Sequence, residues 1–153
     1  MNLLLDTNIL LYLSKNPEWV LEKIPVDFDN DRVYLSIASI GELKSIAFQN
    51  NWSIERWQVV KDFYDSCNVL EVNESLINAY SQIDAYSQRR NPGYIDYSFA
   101  TPRNMGKNDL WIASTAALLG LTLVTTDKDF DHLHQVFMEV KRISPDMLHT
   151  PAK

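Results

Sequence analysis

Near its start the chain reads Leu3-Leu4-Leu5 and then, without a break, Asp6-Thr7-Asn8. Three consecutive leucines make a strand with no face fit for water, as expected of a central parallel strand covered on both sides. The run stops at an acid, a hydroxyl and an amide, and a short apolar helix through Ile9 to Leu13 follows. Ligands of open α/β sheets bind outside the carboxyl ends of the strands. Asp6 is therefore either an N-cap or the first member of a site.

The rest of the chain repeats the theme. Short apolar strands are expected at Val33–Leu35, Val69–Val72 and Leu121–Val124, with an edge strand at Phe137–Val140. Between them lie helical patterns. Pro17 opens one that runs to about Lys23. Ser39 with Glu42 matches a capping box for another, reaching about Asn50. Ser53 caps a third, which places Ile54, Trp57, Val60 and Phe63 on one face. A longer helix carries Leu76, Ile77, Tyr80 and Ile83 and ends at Arg89-Arg90. The last strong helix opens at Lys107-Asn108-Asp109 and closes at Gly120. Strands alternating with helices imply an α/β three-layer sandwich, a parallel sheet with helices on both faces. Residues 1–143 are expected to form one domain, and 144–153 a loosely held tail. The stretch from Asn91 to Gly106 has no period, and long structureless loops in compact domains are often functional.

Composition narrows the function. The formal charge is −6, which argues against broad coating of nucleic acid, because phosphate binding rests on Lys and Arg. A local site whose charge comes from metal ions is still open. The lone Cys67 has no internal disulfide partner, which points to a reducing, cytoplasmic setting. One cysteine and three scattered histidines make a zinc site a poor fit. Asp6 and Asn8 interrupt the apolar start and no basic leader precedes it, so neither a signal peptide nor a membrane span is expected.

Four acids then stand out. Asp6 ends the first strand and Asp127 the fourth; Glu42 and Asp109 each lie in the first turn of a helix. Singly, each has a structural explanation: Asp6 and Asp127 as N-caps, Glu42 as the capping-box acid, Asp109 as a charge at the positive end of its helix. Together they change meaning, because parallel connections bring strand ends and the helix starts after them to one edge of the sheet. Carboxylates that close repel one another unless a cation holds them. Oxygen ligands without Cys or His suit Mg²⁺ or Mn²⁺, and the chemistry this permits is metal-assisted phosphodiester hydrolysis.

These motifs carry a resemblance. Leu-Leu-Asp-Thr-Asn at 4–8, Ser-Ile-Gly-Glu-Leu at 39–43, Asn-Asp-Leu-Trp-Ile-Ala-Ser-Thr-Ala at 108–116 and Leu-Val-Thr-Thr-Asp-Lys-Asp-Phe at 123–130 look like the PIN domain. More narrowly, the chain resembles the VapC-type toxins of bacterial toxin–antitoxin pairs. No family motif falls between about Asn50 and Ser98. The resemblance implies a parallel five-stranded sheet and a metal-dependent endoribonuclease, with Mg²⁺ or Mn²⁺ as cofactor and RNA as substrate. It also implies a cognate antitoxin and a homodimer. Asp6, Glu42, Asp109 and Asp127 match the family's acidic quartet, with Asp6 and Asp109 as the most direct metal ligands. Thr7 and Thr125 match hydroxyls that orient the acids. Asp129 matches a position often acidic, as a fifth member or as helix-start decoration.

Around the acids, Arg103, Lys107 and Lys128 are candidates for the RNA backbone, or else solvated surface charges. Tyr94, Tyr97 and Phe99 either stack on unpaired bases or tuck against the core. His132 and His134, two apart on an expected helix, do not share a face and are expected at the surface. Two other readings compete. A haloacid dehalogenase-like phosphatase or a receiver domain also puts an acid after its first strand. The former wants Asp-x-Asp where this chain has Asp6-Thr7-Asn8, and the latter a phospho-acceptor where it has Glu71-Val72-Asn73. A non-catalytic RNA- or antitoxin-binding module on the same fold would not need all four acids.

Overall fold

The structure is a computed structural model and describes residues 1–151. Five strands, β1 (Asn2–Leu5), β2 (Arg32–Ser36), β3 (Asn68–Leu70), β4 (Thr122–Thr125) and β5 (Val140–Arg142), form one sheet in the order β3-β2-β1-β4-β5. All four pairings are parallel. Helices α1 (Thr7–Lys15), α2 (Pro17–Lys23), α3 (Ile37–Gln49), α4 (Ile54–Asp65), α5 (Ile77–Ser87) and α6 (Lys107–Leu119) cover it, with a short α7 (Pro145–Leu148) at the end.

The leucine triplet fixes this architecture. Leu3, Leu4 and Leu5 are all fully buried, and successive side chains of a strand point to opposite faces. Leu3 and Leu5 join the core under α1, α3 and α4, with Ile9, Leu10, Leu43 and Val60. Leu4 joins the core on the other face, with Ile83, Ile112, Leu123 and Phe130. One strand thus feeds two hydrophobic layers. The chain builds outward from β1 to β2 and β3, then returns to pair β4 with the free side of β1. The order reverses between β1 and β4, and at such a switch point the connections diverge and leave a crevice at the carboxyl ends.

Some boundaries differ from the sequence reading. The edge strand is Val140–Arg142, not Phe137–Val140, because Phe137 turns inward against Tyr86 and Tyr94. α3 begins at Ile37, and its N-cap is Ser36, whose hydroxyl accepts the Ala38 N–H at 3.1 Å. β2 runs straight into this helix, so Ser39 lies inside it, buried and with no hydrogen-bond partner for its hydroxyl among the described residues. The capping box is not formed, and Glu42 has no capping duty.

The stretch after α5 is irregular but tied down. Asn91 donates to the Gln82 carbonyl at 3.0 Å, and its side-chain oxygen accepts the Gly93 N–H at 2.9 Å. Tyr94, Tyr97 and Phe99 pack around Tyr86 with ring centroids 4.7 to 5.5 Å away. These aromatics belong to the core and are not a free stacking platform. The segment from Ser144, expected to hang loose, folds back: Leu148 is buried, and the Trp19 indole donates to the Met147 carbonyl at 3.1 Å. Ala152 and Lys153 lie outside the described residues. Among those described, no helix is long and apolar enough to cross a membrane.

Candidate active site

Asp6 ends β1, is only 3% exposed, and caps α1. Its Oδ1 accepts the Thr7 N–H at 2.7 Å and its Oδ2 accepts the Thr125 hydroxyl at 2.8 Å. The Thr125 Oγ1 in turn accepts the Asp127 N–H at 2.9 Å. One buried hydroxyl at the end of β4 therefore couples the two strand-end aspartates across the switch point. Asp127 caps the 3-10 turn Lys128–Leu133 through the Asp129 N–H, at 2.9 Å. The capping explanation holds for both aspartates, but a cap uses one lone pair of one oxygen and leaves the carboxylate otherwise free.

The other two acids come from helices. Asp109 stands in the first turn of α6. Its Oδ2 lies 3.7 Å from where a Cβ on Gly106 would stand. Glu42 sits on α3, and its Oε2 accepts the Asn108 side-chain N–H at 3.0 Å, which ties α3 to the start of α6. Nothing in the sequence reading pointed to Asn108. Its place beside Asp109 at a helix start was the available signal.

Electrostatics record the convergence. Burial pushes the Asp109 carboxyl up to about 7, with the charges of Asp6, Asp127, Glu42 and Asp129 adding to the rise. Burial also raises Asp6 to about 6, against the Thr125 and Thr7 hydrogen bonds that pull it down, with Asp127 and Glu42 raising it further. Four acids from four segments thus interact at one edge of the sheet, with Asp129 close enough to be felt by Asp109. Among the described residues, no three Asp, Glu, His or Cys side chains already stand in a ligating arrangement around one point. A Mg²⁺ ion does not require one, since it keeps several waters and takes one or two carboxylates. The donor set is all oxygen. Besides the carboxylates, the Thr7 hydroxyl next to Asp6 is buried and has no partner among the described residues, although Thr7 holds Asp6 through its backbone N–H. These residues fit a hard, hydrated divalent cation.

Two clefts flank the acids. One is lined by Glu42, Gly106, Lys107, Asn108 and Asp109. The other is lined by Asn8, Tyr12, Thr126, Asp127, Lys128 and Arg142 among others. Lys107 thus shares a cleft with Glu42 and Asp109, and Lys128 shares the other with Asp127; Arg142, which lines the second cleft and pairs with Asp131 at 3.1 Å, has no place in the sequence expectations. Arg103 lies over the Phe99 ring, 5.8 Å from its centroid. His132 corrects the sequence reading: it is 7% exposed, and its Nε2 is 2.7 Å from Ser87 Oγ. The expected helix is a 3-10 turn, which swings His132 inward with Phe130 and Leu133 while His134 stays exposed.

The PIN domain family model matches residues 3–135. A Ribonuclease VapC1 of Haemophilus influenzae (strain R2866) is 30% identical over 132 residues, which cover 85% of this chain and 90% of that protein. The solved structure of VapBC-1 from nontypeable Haemophilus influenzae superposes with a TM-score of 0.67 at 28% identity, covering 93% of this chain and 98% of that one. VapBC2 from Rickettsia felis, solved bound to a promoter DNA fragment, gives a TM-score of 0.73 at 20% identity, with the same coverage. The likeness to VapBC2 speaks for the fold alone. A match that begins on the buried leucine strand and runs past the turn bearing Asp127 and Asp129 takes in the whole acid-bearing edge, and on it the chain belongs to the PIN-domain family, where it resembles the VapC-type toxins.

Proposed function

We propose that this chain is a divalent-metal-dependent ribonuclease of the VapC kind, acting as the toxin of a toxin–antitoxin pair. The observation that supports the reading is the mutual electrostatic influence of Asp6, Glu42, Asp109 and Asp127, with Asp6 and Asp109 held well above the usual carboxylate range. Perturbed acids gathered in a cleft are a signature of functional sites. The family, and the ribonuclease name of its relatives, supply the substrate class.

Asp6 and Asp109 would hold Mg²⁺ or Mn²⁺ most directly, and Glu42 and Asp127 would complete the cluster or act through water. When bound, such an ion lowers the pKa of a water and stabilises charge on phosphoryl oxygens. The protein's share of the work is orientation. Thr125 and the Thr7 N–H fix both Asp6 oxygens, while Asn108 turns the Glu42 carboxylate toward α6. Lys107 and Lys128 hold the RNA backbone on either side of the scissile phosphate, and Arg103 holds it farther along. Asp129 adds negative charge at the rim.

A protein partner is supported by the edge of α3 and α4. There Phe48 and Ile54 are 82% and 83% exposed beside Trp52 and Trp57, and contiguous exposed apolar surface marks interaction sites. VapBC relatives were solved as toxin–antitoxin assemblies. Replacing Phe48 by Glu is expected to weaken co-elution with the cognate antitoxin while leaving RNA cleavage intact; unchanged co-elution would move the interface elsewhere. A homodimer is also proposed, and sedimentation of the antitoxin-free protein tests it, a concentration-independent monomer being the contrary result.

The test of the site is calorimetric titration of Mn²⁺ into antitoxin-free protein, wild type beside Asp109→Asn, followed by cleavage of single-stranded RNA. Wild-type binding and cleavage, both lost in the variant, are expected. Cleavage by the variant at the wild-type rate would sink the assignment.

A further inference from the structure

His132 is the buried histidine among the described residues, and the proposed chemistry does not use it. Its Nε2 and the Ser87 hydroxyl, at the end of α5, are 2.7 Å apart. The ring lies parallel to Tyr86, with 4° between the planes and 6.3 Å between centroids, and meets Phe99 edge-on at 5.1 Å. Whichever atom of the pair carries the proton, the bond joins α5 to the 3-10 turn that also carries Asp129. A core filler at this position would be an apolar side chain. A histidine brings a desolvation cost that only its hydrogen bond offsets.

Both residues that His132 holds also hold Arg103. The Ser87 carbonyl accepts the Arg103 backbone N–H at 2.7 Å. The Arg103 guanidinium lies over the face of Phe99, the ring that His132 meets edge-on. Neighbouring bonds tie the same stretch to the end of α5: Gln88 to the Asn104 side chain at 2.9 Å, and Arg89 to the Ala100 carbonyl at 3.2 Å. Arg103 itself is exposed and, among the described residues, enters no ion pair. Three residues farther on, Gly106 begins the lining of the Glu42–Asp109 cleft. A cation fixed at backbone and side chain, unpaired, and just upstream of the acids is preorganised for an anionic ligand.

We propose that the Ser87–His132 hydrogen bond is a latch that holds Arg103 in place to receive a backbone phosphate of the RNA. Ser87 and His132 are then positioning residues for substrate binding. The inference rests on the ribonuclease reading above.

A double-mutant cycle on RNA cleavage, with the Mn²⁺-loaded protein and a single-stranded RNA oligonucleotide, tests it. Arg103→Ala is expected to raise KM about tenfold, the size of one charge-assisted phosphate contact. Ser87→Ala is expected to raise KM several-fold with kcat unchanged, and to add nothing in the Arg103→Ala background, because coupled residues are not additive. His132→Gln, which keeps a polar group near Ser87, should recover part of the affinity that His132→Phe loses, and it serves if Ser87→Ala fails to fold. Additive effects of Ser87→Ala and Arg103→Ala on KM, no change in KM, or a loss confined to kcat would each overturn the latch. A wild-type protein that binds Mn²⁺ yet cleaves no RNA would instead overturn the ribonuclease reading. The same cycle read as RNA affinity by fluorescence anisotropy would then still decide the latch.

Discussion

At the scale of single residues, the acids bear a cost that makes them testable without substrate. Asp109 titrates near 7 folded against an ordinary 3.8, and Asp6 near 6. Their folded values are raised, so the stability they contribute is present below the unfolded value and is lost as pH rises through the folded one. His132 has the opposite sign: burial lowers it from 6.5 to about 4, so its contribution is present above 6.5 and is lost as pH falls toward 4. Asp6 and His132 nearly cancel over that window, which leaves Asp109 to set the trend. Metal-free wild type is therefore expected to lose stability from about pH 4 to pH 7, by at most about 1.4 kcal/mol per pH unit. Asp109→Asn should be nearly flat over the same range and, at pH 8, more stable by about 2 kcal/mol after discounting for solvent screening. Urea denaturation in chelator checks this, and a variant no more stable than wild type at pH 8 would contradict it. Thr125→Val removes the hydroxyl between Asp6 and Asp127 at nearly constant volume. Loss of such a supporting contact is expected to weaken Mn²⁺ binding about 10- to 100-fold, read by calorimetry; unchanged affinity would mean that Asp6 needs no such orientation.

Among elements, what the sequence disclosed and what it hid follow from the range of the interactions involved. The central strand was legible because three leucines need two apolar layers, a demand local to three residues. The acids after β1 and β4 were legible because parallel topology puts strand ends on one edge. α3 starts three residues before the expected cap: Ser36 and Ser39 are both competent caps, and only the end of β2, set by pairing with β1 and β3, chooses between them. That choice frees Glu42 from the cap and leaves it to Asn108, 66 positions away in sequence. The inward turn of His132 was hidden for the same reason, since its partner Ser87 is 45 residues distant. Gly120 is the expected cap: it ends α6 with φ +65°, and a Cβ there would meet nothing within 4 Å. Gly120→Ala should thus cost only the backbone term, about 1 kcal/mol, seen as a few degrees in Tm, with Mn²⁺ affinity unchanged. A loss of metal affinity would mean that the far end of α6 governs the placing of Asp109.

For the whole molecule, the proposed function raises the question of how a chain of net charge −6 would grip a polyanion. A basic surface would bind RNA broadly and with a steep salt dependence. On the proposed ribonuclease reading, attraction is confined to a few cations near the acids. Arg103, Lys107 and Lys128 come from a loop, a helix start and a turn, and the rest of the surface is repulsive on average. On that reading cleavage depends on the divalent ion, whereas holding the strand depends on these three side chains. Counterion release makes this quantitative, because each neutralised phosphate of a single strand contributes about −0.7 to the slope of log K against log salt. Three contacts give a slope of about −2. Fluorescence anisotropy of a single-stranded RNA oligonucleotide, metal-free to prevent cleavage, between about 50 and 200 mM salt reads that slope directly. Lys107→Gln or Lys128→Gln should each flatten it by about 0.7. A wild-type slope steeper than about −4 would require more phosphate contacts than these cations provide. Arg142, beside Lys128 in the second cleft, would then be the next side chain to remove.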